Sequence, residues 1–142
     1  MAYWLMKTEP DVFSWQDLQT KGVACWDGVR NYAARNHMRA MAVGDLVLVY
    51  HSNQHKAAVG IAKVVRAHYP DPTTEDQRWS AVDVAPVQTL AVPVTLATIK
   101  ADVAAGGPLR DIRMIKENRL SVAPVSSGEW QFLLHLAQTQ LP

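Results

Sequence analysis

The stretch Leu46-Val47-Leu48-Val49-Tyr50-His51-Ser52-Asn53-Gln54-His55-Lys56-Ala57-Ala58-Val59-Gly60-Ile61-Ala62-Lys63-Val64-Val65 decides the fold class. Leu46 to Tyr50 is a continuous apolar run of the length of a buried strand, His51 to Lys56 is a polar loop, and Ala58 to Val65 is a second apolar run. The two runs read as paired strands. Gly60 inside the second predicts a bulge or a close backbone approach, as where a sheet curls toward a barrel.

Upstream, Tyr3 to Lys7 reads as a short strand ended by Glu9-Pro10, because the residue before proline is pushed out of helical geometry. Ser14 with Asp17 opens a helix over Trp15 to Lys21, which Gly22 stops. Asn31 is the expected N-cap of a second helix, with Ala34, Met38 and Met41 near one face and Arg35 and Arg39 on another. Downstream, Tyr69-Pro70-Asp71-Pro72-Thr73 is expected to end regular structure and lead through an acidic loop to Trp79. Ala81 to Val94 reads as one long or bent strand, with Pro86 and Pro93 placing it near an edge or at bulges. Thr95 caps a helix from Leu96 to about Asp102, ended by Gly106-Gly107-Pro108, and Arg119 to Val125 is a final strand. Ser126 with Glu129 forms a second capping box, opening a helix to about Gln138 whose Trp130, Leu133, Leu134 and Ala137 share an apolar face. Bulged strands interleaved with short helices favour a small α+β barrel of about five to six strands over a doubly wound sheet.

With 142 residues and 49% hydrophobic content, the chain is expected to form one domain over residues 1–142 with a substantial core. Net charge is only +1, from 14 Lys and Arg against 13 Asp and Glu, which does not support a broad electrostatic grip on a duplex backbone. Any nucleic-acid contact must be local. Residues 1–69 hold eight basic and five acidic groups, whereas residues 70–142 hold six and eight, so the basic bias lies in the first half. Cys25 is alone, so no internal disulfide or Cys-rich zinc site can form, and a reducing cytoplasm fits. The N-terminus turns polar too soon for a signal peptide, and no apolar run approaches the roughly 20 residues of a membrane span. A cytoplasmic protein with no membrane partner, and a monomer, is the expectation.

Binding chemistry concentrates in Cys25-Trp26-Asp27-Gly28-Val29-Arg30-Asn31-Tyr32-Ala33-Ala34-Arg35-Asn36. A Trp face stacks on a nucleobase, Asn pairs with a base edge and Arg holds phosphate in a fork. Trp4, Trp15 and Trp130 have apolar neighbours and read as core. Trp26 and Trp79 sit at loop-to-strand junctions, where ligand stacking and core packing are both open; together they would sandwich one flat ring. Arg30 precedes a helix N-terminus, where free amides already favour anions. Lys7 and Thr8 join that site if their strand end points the same way. Arg35 and Arg39, four residues apart, match an ordinary solvated helix face.

Catalytic patterns are sparse. Cys25 would need His51 or His37 as a base, though a lone Cys is commonly a buried small hydrophobe. His51 and His55 have a metal-like spacing but stand in a loop with no third ligand. There is no dinucleotide fingerprint, Walker loop or nucleophile elbow. No catalytic residue, metal or cofactor is expected.

Seven blocks then carry a family resemblance: Tyr3 to Pro10, Trp26 to Tyr32, Met41 to Asp45, Tyr50-His51-Ser52, Val59 to Ala62, Tyr69-Pro70-Asp71, and Arg119 to Val122. In that order, nearly end to end, they closely resemble the EVE domain family, which includes stand-alone bacterial proteins. The resemblance implies a PUA-like fold, a curled β-barrel flanked by helices, and kinship with the YTH readers, which hold a methylated adenine in an aromatic cage. By that analogy Lys7-Thr8 lies at the pocket's strand end, Trp26 forms one wall and Trp79 another. Only Trp79 stands where YTH readers draw further walls, so the methyl-adenine preference is not carried over. What the resemblance implies is non-enzymatic recognition of a modified base, such as 5-methylcytosine, in DNA or RNA. The expected base-binding residues are Trp26, Trp79, Asn31, Lys7, Thr8 and Ser52, with Arg30 and Arg35 on flanking phosphates. The alternatives are an ASCH-like RNA-cutting enzyme using Lys7, Arg30 and Tyr32, and a sensor of a free modified nucleoside.

Overall fold

The structure is a computed structural model and describes residues 1–141. In chain order it contains β1 (Tyr3–Thr8), α1 (Trp15–Lys21), β2 (Ala24–Trp26), α2 (Tyr32–Ala40), β3 (Leu46–His51), β4 (Ala57–Pro70), β5 (Ser80–Thr95), α3 (Leu96–Ala104), α4 (Arg113–Lys116), β6 (Val122–Val125) and α5 (Ser127–Leu136). The six strands form one mixed sheet in the order β2-β5-β4-β3-β1-β6. Only β1 and β3 run parallel, joined by a crossover that contains α1, β2 and α2. The sheet is not closed but curls like a PUA-like barrel.

The curl has a local cause. The β3–β4 register shifts between Val49 and Tyr50, and the β4–β5 register shifts at four places along two long strands. Each bulge bends its strand and increases the local twist. One shift lies between Ala58 and Gly60. A Cβ on Gly60 would also lie 2.3 Å from the Trp15 ring, so the missing side chain lets α1 seat on the sheet. Both expectations for Gly60 are met.

Apolar layers cover both faces. Trp4, Met6, Trp15, Leu18, Trp26, Met38, Val47 and Val49 pack under α1 and α2, while Leu5, Leu48, Tyr50, Ile61, Ile99, Trp130 and Leu133 pack under α3 to α5. Successive residues of β3 therefore enter opposite cores, which is why that strand is apolar throughout. Side-chain caps start the helices as the sequence predicts: Ser14 and Ser126 make reciprocal capping boxes, and Asn31 and Thr95 accept from the amides of Ala34 and Thr98.

The expected break at Tyr69-Pro70 is corrected: β4 continues through both, with Pro70 opposite Ser80. Proline is tolerated there because β3 pairs with β4 only as far as Lys63, so Pro70 lies where β4 has one neighbour, just past a bulge. Arg66 lies over the Tyr69 ring and the Tyr69 hydroxyl donates to Asp83 of β5, which pins the extended hairpin. The sequence did not suggest β2 or α4; three residues and one turn are too short to show a period. The last strand starts at Val122 rather than Arg119, because Leu120 closes a turn onto the Glu117 carbonyl.

Candidate functional site

A cavity of about 580 Å³ opens where β1, β2 and the loops before α1 and α2 meet. That is within the range of small-ligand sites. Trp26 lines it from β2, where it pairs with Val82, and the Phe13 ring meets Trp26 edge-on, 6.2 Å between centroids at 89°. Lys7 and Thr8 line it from the end of β1, with Asp27, Arg30 and Asn31 along the segment that leads into α2.

Each polar group has a defined remaining capacity. The Lys7 ammonium donates to the Asn118 carbonyl at 3.0 Å, keeping further N–H donors, and its pKa is lowered by burial. The Asn31 side-chain oxygen caps α2 by accepting from Ala34, which leaves its amide N–H groups free. The Thr8 hydroxyl donates to the Phe13 carbonyl at 2.7 Å and so fixes the loop carrying that ring. The Asp27-Gly28 turn needs glycine, since Gly28 has φ +78°.

Behind this turn lies a hub on Asp71, whose side chain is fully buried. It accepts from the Gly28 amide at 2.8 Å, Arg30 Nη1 at 2.9 Å, and the amide and hydroxyl of Thr73. Burial pushes the carboxyl pKa up, but these hydrogen bonds outweigh it and hold the group at about 2. The hub fixes the 71–79 loop against the cavity's rim, helped by the Asp71 amide donating to the Trp79 carbonyl.

Trp79 does not line the cavity. Its ring stacks on Tyr32 at 5.0 Å and 29°, the Arg30 guanidinium lies 5.6 Å from it, and Arg35 lies 4.9 Å from the Tyr32 ring. Arg35 donates to Asn36 and the Arg78 carbonyl, and Arg39 to Ser80 and the same carbonyl. Arg39 is exposed and Arg35 half-buried, as a solvated helix face requires, but both also clamp the loop before β5. Ser52 is also outside the lining; its amide donates to the Thr8 carbonyl. The cavity thus unites Trp26, Asn31, Lys7, Thr8 and Arg30, while Trp79, Ser52 and Arg35 lie elsewhere.

Phe13 is the wall that the sequence did not reveal. It precedes the Ser14 cap, five residues before the interior Leu18, and both pack in one core, so its position reads as a hydrophobic staple. Nothing in that pattern distinguishes a staple that also faces a ligand.

The Cys25 thiol also borders the cavity, and its pKa is raised, chiefly by burial, with Asp27, Asp83 and Asp71 adding to the effect against a hydrogen bond with Tyr69. His51, offered as its base, instead accepts the Trp15 amide through Nε2. Among the described residues, no group of three or more His, Cys, Asp or Glu is placed to hold a metal.

A curled, bulged mixed sheet with helices on both faces is the architecture of a PUA-like domain. Residues 2–136 match the EVE domain, and the chain belongs to that family. It is 39% identical to mouse thymocyte nuclear protein 1 over 97% of this chain and 74% of that protein. Among solved structures, an Agrobacterium tumefaciens protein superposes with TM-score 0.93 at 38% identity, covering 100% of this chain and 97% of the other. The human THYN1 protein, solved in complex with 5-methylcytosine-containing DNA, superposes with TM-score 0.90 at 35% identity, covering 99% of each chain.

Proposed function

We propose that this chain reads a modified cytosine in DNA, taking the base out of its stack and into the cavity beside Trp26 without carrying out chemistry on it. The observation that carries this reading is the meeting, in one cavity, of two aromatic walls with unspent hydrogen-bonding groups: Trp26 and Phe13 with Lys7, Asn31 and Asp27. Lys7 and Asn31 offer donors to the ring's O2 and N3, and the Asp27 carboxylate offers an acceptor to its N4 amine. The apolar sides of Val12, Ala24 and Cys25 suit a 5-substituent. The human THYN1 complex with 5-methylcytosine-containing DNA supports the choice of ligand. The raised Cys25 pKa and the occupied His51 nitrogen favour binding over nucleophilic catalysis.

Removing a base from the stack costs a few kcal/mol, which the cavity must offset. Aromatic stacking contributes about 1–3 kcal/mol per base, so Trp26→Ala should weaken binding about tenfold or more. Trp26 also belongs to the core, so Phe13→Ala, at a partly buried ring, provides a second variant. The test is a titration of the protein with matched oligonucleotides carrying cytosine, 5-methylcytosine, 5-hydroxymethylcytosine or N6-methyladenine, as DNA and as RNA. Preference for a 5-substituted cytosine in DNA, reduced in both variants, is expected. Equal affinity for modified and plain strands would sink the reading, and preference confined to RNA would transfer it to that polymer.

A further inference from the structure

A second cavity of about 340 Å³ adjoins the first, and Asn31 lines both. Its other walls are Ala33 on α2 and the turn Glu117-Asn118-Arg119-Leu120. We infer that this cavity is a nucleotide subsite, which takes the sugar and phosphate next to the everted base, with Arg119 as the phosphate ligand. The inference rests on the modified-base reading for the occupant of the first cavity.

Three independent observations converge on Arg119. Most arginines of the chain are already used: Arg30, Arg35, Arg39, Arg78, Arg110 and Arg113 all donate to protein oxygens, and Arg66 lies on Tyr69. Arg119 is exposed and, among the described residues, has no hydrogen-bond or ion-pair partner, so its whole fork is available to a phosphate. The acidic group in the same wall is neutralised, because Glu117 pairs with Arg113 at 3.0 Å.

The second observation is mechanical. Lys7 donates to the Asn118 carbonyl, so the turn that carries Arg119 is tied to a group inside the base cavity. The third is the floor: Leu120 is 4% exposed and gives the subsite an apolar base for a sugar or ring face, with the Asn31 amide between the two compartments. Arg30 and Arg35, by contrast, have their terminal nitrogens on Asp71, Thr73, Asn36 and Arg78. Phosphate contact by those two would have to compete with bonds already made.

The experiment pairs a change in the protein with a change in the ligand. DNA trinucleotides centred on 5-methylcytosine or on plain cytosine are made with natural linkages, or with one neutral methylphosphonate 5′ or 3′ of the central base. They are titrated against wild type and Arg119→Gln, an exposed substitution whose folding is checked by thermal melting. One neutral linkage should weaken the wild type about tenfold and leave Arg119→Gln unaffected, while Arg119→Gln should lower the salt slope by about 0.7 on single strands. If neither linkage couples to Arg119, the subsite is overturned while the base reading stands. If Arg119 couples to a linkage but methylated and plain strands bind alike, the subsite stands and the base reading falls. If no trinucleotide binds the wild type, both fall.

Discussion

Trp26 sits in β2 opposite Val82 and Trp79 in the loop just before Ser80, yet their surroundings are built to different ends. Trp26 borders an open cavity among groups with hydrogen-bonding capacity to spare. Trp79 is the centre of a filled stack, with Tyr32 against its ring, Arg30 beside it, and Arg35 over Tyr32. Each has an aromatic partner, Phe13 or Tyr32, and Arg30 nearby. Both rings are buried, Trp26 at 8% and Trp79 at 9% exposure, so the difference lies in the polar groups: a scaffold consumes its donors, and a binding site keeps some free. By that criterion, the Trp79 stack and the Asp71 hub are the frame that holds the Gly28-Val29-Arg30 rim, and the Trp26 cavity is the proposed site.

The sharpest way to break this comparison is Trp79→Ala. Trp79 is 9% exposed, and truncating a buried aromatic costs about 3–5 kcal/mol. Chemical denaturation should show that loss, while the molecules still folded at low temperature keep their affinity for modified DNA within a few fold. A tenfold weaker complex from a fully folded Trp79→Ala protein would make this tryptophan a ligand group and erase the distinction.

Next in size is Asp71. Its folded pKa, about 2, lies below the ordinary 3.8, so it contributes stability that is fully present above about pH 4 and is lost as pH falls toward 2. That difference corresponds to about 2 kcal/mol at neutral pH. Asp71→Asn should remove most of it and flatten the acid limb of the stability curve between pH 4 and 2. Asp45 and Asp76 also have lowered pKa values, so the informative quantity is the difference between wild type and variant. Parallel curves for the two proteins would show that the hub does not hold the rim.

Much of the frame was legible because it follows from local chemistry. Capping residues announced four helices, and Gly60 announced both the bulge and the close approach of Trp15. Lys7, Thr8, Trp26, Arg30 and Asn31 were expected at one site, and the fold brings them to one cavity. What could not be read was how each group is used. Arg35 on its helix face gives no sign that the Arg78 carbonyl, 43 residues away, will accept its proton. For Trp79 the sequence leaves ligand stacking and core packing both open, because a loop-to-strand aromatic looks the same whether its ring face is open or already stacked on Tyr32. Phe13 was invisible for the opposite reason, since a complete structural role hides a second one.

The smallest expected effect probes how Phe13 is positioned. The Thr8 hydroxyl donates to the Phe13 carbonyl, two amides of the same loop donate to the Glu9 carbonyl, and the Trp15 amide donates to His51. The loop is thus held at both ends, and Thr8 is the only tie made by a side chain within the cavity's lining. Thr8→Val keeps the shape and β-branching of the residue but removes the donor, leaving one carbonyl of a partly exposed loop without its partner. A neutral hydrogen bond contributes about 0.5–1.5 kcal/mol, so stability should fall by about 1 kcal/mol or less. If Phe13 is a wall of the site, binding of methylated DNA should weaken severalfold through faster dissociation, because a loosened ring holds the bound strand less well but does not hinder its arrival. Slower association with unchanged dissociation would instead mean that the loop gates entry, and Phe13 would then belong to the frame rather than to the site.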